Sequence, residues 1–484
     1  MIEAHAIPAV YAAEEALMAT LEEGELMARA VEGLAAVAAA RLEERDGRSV
    51  VALVGPGNNG ADALYAAARL AEAGYAAAAV HHGTVHAGAR DAAEAAGVVL
   101  GTDAGLLVEA DLVLDGVLGI GARPGLPGWA RTWVDAVPES AYLIAVDLPS
   151  GQDPSGEVLD PDGVIADETV TFSVAKPVHL LPPTEQSCGA LTVVDIGIEV
   201  DDTPVVRRLD HDDVSALWPV PVPSDDKYSR GVVGVVAGGE SFTGAALLSV
   251  TAAVEAGVGM VRYVGTPTPE VLVRSRVPEA VHGPGRVQAW VVGPGLDPTA
   301  LGEASGAQLD VAREALAGEE PVCVDAGGLD LLDGEVLRGR EGRSTLLTPH
   351  AGEAARLLAR LTGEDVERSA VEAAPLAHAR RLAQATGATV LLKGSTTLVV
   401  PPMPGAAVWS QADAPAWLAT AGAGDVLAGL LGTLLAAGLE PDEAGALGAL
   451  VHGVAARRAN PGGPLRALAV AEALPATVAA LLAR

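Results

Sequence analysis

Lysine, phenylalanine and cysteine are nearly missing from this chain, and each scarcity excludes something. Of 484 residues only two are cysteine, Cys188 and Cys323. Two thiols so distant in sequence build neither a disulfide framework nor a zinc site. Aromatic residues are 3% of the chain, while half of it is hydrophobic. That apolar content predicts folded rather than disordered structure, with a core of alanine and branched aliphatic side chains. Lysine occurs three times, at Lys176, Lys227 and Lys393, and arginine supplies the remaining cations. All cations together number 31 against 63 carboxylates, a net charge of −32. Such a field repels phosphate backbones and anionic lipid, which argues against nucleic acid or a membrane surface as partner. Any nucleotide must be gripped by local donors. No basic-then-apolar signal pattern opens the chain. The long apolar stretch 416–439 is interrupted by Asp425 and several glycines. It reads as a buried loop and helix rather than a membrane span. A cytoplasmic protein is expected.

The length predicts two or three domains. Residues 9–45 read as helical, with Met18, Leu21, Leu26, Met27 and Leu34 at near-helical spacing, a stripe best explained by core packing. Short apolar runs at 49–54, 75–80, 111–114, 142–146, 169–174 and 191–196 then alternate with helical segments such as 61–73. Fully apolar strands alternating with helices predict an α/β fold with a mainly parallel sheet covered on both faces. Between 199 and 226 acids, prolines and the pair Arg207-Arg208 intervene, which is linker chemistry. The boundary is placed near Val206, giving domains 1–206 and 207–484. The second resumes the alternation with strands expected at 232–237, 289–292, 322–324, 344–347 and 389–392.

In the first half, Gly55-Pro-Gly-Asn58-Asn59-Gly60 follows a strand and opens a helix. It matches the dinucleotide fingerprint formally. The next strand, however, ends in Val80-His81-His82, with no acid to hold a ribose, which disfavours an ordinary Rossmann dehydrogenase. Two asparagines at a helix start can offer oxygen to a hard cation and N–H to a phosphate. The plain alternative is an Asn-Gly turn with a helix cap. Asp115-Gly-Val-Leu-Gly119-Ile-Gly121 and Val146-Asp147-Leu-Pro-Ser150-Gly151 also follow strands, and loops at strand carboxyl ends converge on one crevice. His81, His82 and His86 lack the partners that a metal site would need.

These three motifs, in this order, resemble the NAD(P)HX epimerase family, over roughly residues 1–205 and including the helices before the first strand. The resemblance implies a Rossmann-like αβα sandwich, with Asn59, Asp115 and Ser150 as potassium ligands. It also implies contacts to the hydrated nucleotide from Asn58, Asn59, Gly60, Ala61 and Asp62, from Gly119, Ile120, Gly121, Ala122, Arg123, Pro124 and Gly125, and from Asp147. Proton exchange at the hydrated ring needs a base, for which Asp147 is the candidate. Lys176 stands where the family often has lysine; a surface or capping role is its alternative. The chain departs from the family in carrying Ala61 and Ala63 where glycine is usual. If those positions need positive φ or close ligand approach, alanine weakens the epimerase.

In the second half Lys227-Tyr-Ser-Arg-Gly231, Thr243-Gly-Ala245, Gly293-Pro-Gly295-Leu, Thr348-Pro-His350-Ala-Gly-Glu353, Lys393-Gly394-Ser395-Thr396-Thr397 and Thr420-Ala-Gly422-Ala-Gly424-Asp425 recur in order. A glycine-rich turn opening a helix forms an anion hole. A carboxylate at its lip is placed to take a hydroxyl proton during phosphoryl transfer. Alone, Asp425 could be an ordinary helix-start acid and His350 a structural one. The ordered set resembles the ADP/ATP-dependent NAD(P)HX dehydratases, of ribokinase-like fold, from about Arg207 to the end. It implies a second αβα sandwich, with Ala245, Gly295, His350 and Asp425 on the hydrated nicotinamide. Lys393, Gly394, Ser395, Thr396, Thr397 and Gly424 are implied on the adenine nucleotide, magnesium on its phosphates, and Asp425 as the base. Asp297 and Asp226 depart from the family pattern at positions with no catalytic role. The expected substrates are NADHX or NADPHX with ADP or ATP, and a homo-oligomer is expected. The competing reading is a ribokinase-like small-molecule kinase with a non-catalytic N-terminal binding domain.

Overall fold

The computed structural model describes residues 1–484, which fall into two compact units, Glu3–Val206 and Arg207–Arg484, the latter joined by Met1–Ile2. The N-terminal unit is built on seven strands in the order Val99–Gly101, Ala76–His81, Ser49–Val54, Leu112–Gly116, Tyr142–Val146, Glu168–Phe172 and Ala190–Val194. Every neighbouring pair is parallel. Val50, Ala52 and Val54 enter one buried cluster with Leu34, Leu42 and Leu64, while Val51 and Leu53 enter a second with Trp133. Alternate residues of this strand are thus buried on opposite faces, which is why its sequence from Val50 to Val54 carries no polar side. The helical region before the first of them is two helices, Ile7–Met18 and Glu25–Glu44, separated by a turn ending at left-handed Gly24, φ 82°.

In the C-terminal unit Val281–His282, Met260–Val264, Val232–Val236, Ala289–Val292, Val322–Val324, Thr345–Leu347 and Thr389–Leu392 lie side by side and parallel. Thr397–Val400 and Val408–Gln411 extend the sheet antiparallel. The α/β class and its mainly parallel sheets are as expected. The sequence pattern did not reveal Met260–Val264, whose Arg262 interrupts an apolar run, nor the last two strands, of which one begins with Thr397 and the other ends in Ser410-Gln411.

The apolar stretch near residue 430 is the helix Ala423–Ala436, buried along its whole length from Val426. It lies close against the helix Thr243–Glu255 and the sheet. A Cβ on Gly429 would stand 2.1 Å from the Ser249 carbonyl oxygen, and one on Gly432 2.2 Å from Val291 Cγ2. No helix is long and apolar enough to cross a membrane.

Both sheets contain a point where strand order reverses. In the first it lies between Ser49–Val54 and Leu112–Gly116, in the second between Val232–Val236 and Ala289–Val292. Loops leaving the carboxyl ends of strands flanking such a point part in opposite directions and leave a crevice.

Candidate active sites

The crevice of the N-terminal unit holds a cavity of about 480 Å³. Asn58, Asn59, Asp62, Gly119, Ile120, Gly121, Ala122 and Asp147 line it, with Tyr11 and Glu14 from the first helix and the aromatic ring of Phe172. Gly60 and Ala61 are buried beneath it. Arg123, Pro124 and Gly125 lie outside its lining, and the Gly125 amide donates to the Gly151 carbonyl at 2.8 Å. Ala61 and Ala63 belong to the helix Asn58–Glu72, are buried, and have no positive φ. The alanines therefore carry no backbone strain.

Asp147 ends the strand Tyr142–Val146 with φ 67°, a left-handed conformation unusual for a non-glycine residue. Its Oδ1 accepts from Lys176 Nζ at 2.5 Å and from Thr171 Oγ1 at 3.0 Å. Lys176 is 1% exposed and also donates to Thr171 Oγ1 at 2.8 Å, so it is not a surface residue; its backbone stands at the N-cap of the short helix Pro177–Leu180 while its ammonium is turned to Asp147. Burial alone would raise the Asp147 carboxyl, but the ammonium of Lys176 outweighs it and holds the group below its usual range. His179 Nε2 donates to the Asp147 carbonyl at 2.8 Å while its Nδ1 accepts from the Lys176 amide at 3.0 Å. Burial moves this imidazole down to about 4, so it is neutral.

Asp62 has the opposite environment. Its Oδ1 is buried with no hydrogen-bond partner. Burial first, then the negative charges of Asp147 and Glu14, push its carboxyl up to about 8.

Asp115, Ser150 and Asn59, the expected cation ligands, form one knot beside the cavity. Ser150 donates to the fully buried Asp115 carboxylate through its amide at 2.8 Å and its hydroxyl at 2.7 Å. The Leu118 amide donates to Ser150 Oγ at 2.8 Å, and Asn59 Nδ2 donates to the Leu118 carbonyl at 2.8 Å. Burial pushes Asp115 up to about 6. Of the three histidines, His86 caps the helix Ala87–Ala96 and His82 stacks on Trp129 at 4.6 Å.

The C-terminal crevice is larger, about 730 Å³, with Ala245, Gly295, Gly422 and Asp425 among its walls, together with the second of the chain's two phenylalanines, Phe242. Gly295 has φ 64°, and a Cβ there would meet Ala245 Cβ at 2.6 Å, so this wall is closed by backbone. Gly422, φ 88°, turns the chain into the buried helix. The amides of Gly424 and Asp425 then have no helical acceptor behind them and carry the positive end of the helix dipole. Asp425 stands in this first turn. Burial first, then the charge of Asp325, move its carboxyl up to about 7, against the opposing pull of Lys393.

Lys393 turns inward. Its Nζ donates to Asp325 Oδ1 at 2.7 Å and lies 3.7 Å from Glu353. Asp325 is 2% exposed and also accepts from Thr348 Oγ1 at 2.8 Å. Burial tends to lower the Lys393 ammonium, but Asp325 and Glu353 more than offset it, and the group stays charged. A Cβ on Gly424 would lie 3.4 Å from that ammonium, so lysine, glycine turn and Asp425 share one corner. Gly394, Ser395 and Thr396 form the turn between Thr389–Leu392 and Thr397–Val400, and Gly394 and Ser395 are exposed. His350 caps the helix Ala351–Thr362: its Nδ1 accepts from the Gly352 and Glu353 amides, at 3.0 and 3.3 Å. With Nδ1 accepting, its N–H is on Nε2, and partial desolvation lowers the imidazole below its usual range.

Asp325 was not singled out from the sequence. The signal was present: Val322-Cys-Val-Asp325-Ala-Gly-Gly has the same strand-then-acid-then-glycine pattern as the motifs that were used.

Comparison with known proteins places these two crevices in context. A family model described as NAD(P)H-hydrate dehydratase matches residues 233–471, and one described as YjeF-related protein N-terminus matches residues 23–178. The chain is 42% identical over 461 residues to the bifunctional NAD(P)H-hydrate repair enzyme Nnr of Mycobacterium tuberculosis, covering 91% of each. It is 42% identical over 479 residues to that of Mycobacterium leprae, covering 95% of this chain and 94% of the other. The bifunctional NAD(P)H-hydrate repair enzyme of Leishmania major is 33% identical over 460 residues, covering 84% and 80%. Among solved structures, the ADP/ATP-dependent NAD(P)H-hydrate dehydratase from Bacillus subtilis, co-crystallised with ATP/Mg2+, aligns with a TM-score of 0.48 and 24% identity, over 57% of this chain and 99% of that one.

Proposed function

This chain belongs to the bifunctional NAD(P)H-hydrate repair enzymes, which join an epimerase to a dehydratase, and from that premise we propose how its two crevices divide the work. The C-terminal crevice dehydrates the S epimer of NADHX or NADPHX with ADP or ATP. The N-terminal one interconverts the R and S epimers, so that both reach the dehydratase.

The observation that carries the proposal is Asp425, a carboxylate in the first turn of a buried helix, at one corner with the half-buried ammonium of Lys393. Hydroxide leaves a hydrated ring poorly, and phosphate leaves well. Asp425 takes the proton of the ring hydroxyl while that oxygen attacks the terminal phosphorus of the nucleotide, and the bond to AMP, or to ADP, breaks. The Gly424 and Asp425 amides and the Lys393 ammonium stabilise charge on the transferring group. Phosphate then departs with the C–O bonding pair, the neighbouring ring carbon gives up a proton to water, and the electrons of that C–H bond restore the ring double bond. Ala245, Gly295 and His350, through Nε2–H, hold the nicotinamide part. Lys393, Gly394, Ser395, Thr396, Thr397 and Gly424 hold the nucleotide. Magnesium bound with the nucleotide would supply charge neutralisation, and Asp325 and Glu353 would hold it through water.

In the first unit Asn59, Asp115 and Ser150 suit potassium. Asp115 is a fully buried carboxylate surrounded by hydroxyl, amide and carbonyl groups without a counter-charge. The ion would supply that charge and tie together the loops bearing Asn59 and Ser150. Asn58 to Asp62, Gly119 to Ala122 and Asp147 bind the hydrated nucleotide. The two free cysteines, both buried, suit the reducing cytoplasm. Self-assembly of the chain, also part of this reading, is checked by light scattering.

The test is repair by the full chain. S-NADHX with ADP and magnesium is expected to return NADH with AMP and phosphate, whereas the simple kinase would accumulate a phosphorylated product. R-NADHX is expected to be repaired only as fast as it epimerises, faster with potassium than with sodium. Equal rates in the two salts would remove potassium from the proposal.

A further inference from the structure

The N-terminal cavity contains more chemistry than one base. Two aspartates line it in opposite electrostatic conditions. Asp147 is tied at Oδ1 by both Lys176 and Thr171, at 2.5 and 3.0 Å, and its backbone is pinned through His179. It is a fixed anion, and moving a proton onto it requires breaking a buried ion pair. Asp62 projects from the fifth position of the helix Asn58–Glu72 with Oδ1 buried and unpartnered. No lysine or arginine lines the cavity, and the one ammonium behind it is committed to Asp147. Asp62 is half-buried, with one carboxyl oxygen sealed away from water, donors and counter-ions, an environment that favours its neutral form.

We propose that Asp62, rather than Asp147, carries the proton in epimerisation, and that Asp147 stays charged to stabilise a cationic ring. The inference rests on the epimerase reading of this cavity. The hydroxyl of a hydrated nicotinamide sits on the ring carbon next to the ring nitrogen. Asp62 donates its proton to that hydroxyl, the C–O bond breaks with its electron pair leaving on water, and the nitrogen lone pair forms the C=N bond of an iminium ring. Water then adds to the opposite face, the C=N electrons return to nitrogen, and the Asp62 carboxylate takes the released proton. Nothing is oxidised or reduced, and Asp62 ends as it began. The positive ring exists only between the two half-steps, beside the Asp147 carboxylate, so that interaction favours the reacting state over either epimer.

The charged and titratable groups around Asp62 are consistent with this division. Glu14 and Tyr11 face it from the helix Ile7–Met18 and Asp147 from the central sheet. The helix Glu25–Glu44 contributes only Leu26, Met27 and Ala30 to the lining. Asp115, on the neighbouring strand, turns its carboxylate to Ser150. Burial and the anions Asp147 and Glu14 hold Asp62 protonated at neutral pH, the state its first half-step requires.

The experiment uses the full chain without ADP or ATP, so the dehydratase is silent, and follows conversion of R- to S-NADHX by chromatography in H2 18O. Each inversion by the parent is expected to place one solvent oxygen in the ring hydroxyl. Its rate should fall as pH rises through about 8, where Asp62 loses its proton. Asp62→Asn is expected to lower kcat by about 100-fold or more, the usual loss of a general acid–base group, with KM little changed. The alkaline fall should disappear in the residual rate. Asp62→Glu should recover part of kcat, which separates lost chemistry from lost folding. Full activity in Asp62→Asn, an unchanged pH profile in it, or inversion without oxygen exchange would each overturn the proposal. If the parent itself does not exceed the spontaneous rate, the epimerase reading fails instead.

Discussion

Asp425→Asn is expected to reduce dehydration of S-NADHX by between about 10²- and 10⁴-fold, the range associated with removing a general base. Asparagine keeps the shape and cannot accept the hydroxyl proton. A base acts in its ionised form, and the Asp425 carboxyl is raised to about 7. Dehydration by the parent should therefore rise with pH through neutrality and level off above it, and this limb should be missing in the variant. Both are read from the return of NADH absorbance at saturating ADP. A variant as fast as the parent would remove Asp425 from the mechanism and with it the assignment of the cleft.

The second large effect is on stability. Lys176→Met removes the cation from a pair in which lysine is 1% and aspartate 8% exposed, leaving Asp147 as a buried charge without a partner. Such a loss costs about 3–5 kcal/mol, mostly the penalty on the stranded ion rather than the worth of the pair. The double change Lys176→Met with Asp147→Asn should recover much of it, because both charges are gone. The sign of the pH dependence follows from the depressed Asp147 value. The pair's contribution is full above the carboxylate's unfolded pKa and is lost as pH falls through the folded one. The parent should therefore lose its advantage over the double variant in acid. Urea melts followed in the N-terminal unit measure all three proteins. A single variant as stable as the parent would mean that water, rather than Lys176, satisfies Asp147.

Much of this was legible in the sequence because strand-end loops announce themselves locally. Gly55 to Asp62, Asp115 to Gly121, Asp147 to Gly151 and the turn before Asp425 each combine an apolar run with glycine and an oxygen-bearing side chain. A parallel sheet brings such loops together whatever their separation in sequence. What stayed hidden depends on partners distant in the chain. Lys393 reads as a free phosphate-binding cation until Asp325, 68 residues away, is seen to hold it. Lys176 reads equally as surface or site until Thr171 and Asp147 close around it. The opposite protonation of Asp62 and Asp147 has no sequence signature, since it comes from a single ammonium placed beside one carboxylate and not the other. Asp325 is the exception: its local pattern was as clear as those that were used.

The chain's economy in lysine has a practical result. Apart from the terminal amine, it offers a reagent three primary amines, and two of them are tied up in ion pairs, Lys176 buried and Lys393 half-buried, one in each half of the molecule. The terminal amine is itself bound to Asp210 and Asp213. Lys227 alone is exposed, against the ring of Tyr228. An acylating probe at modest excess should thus attach a dye or a surface tether at one defined position while both catalytic crevices remain unmodified.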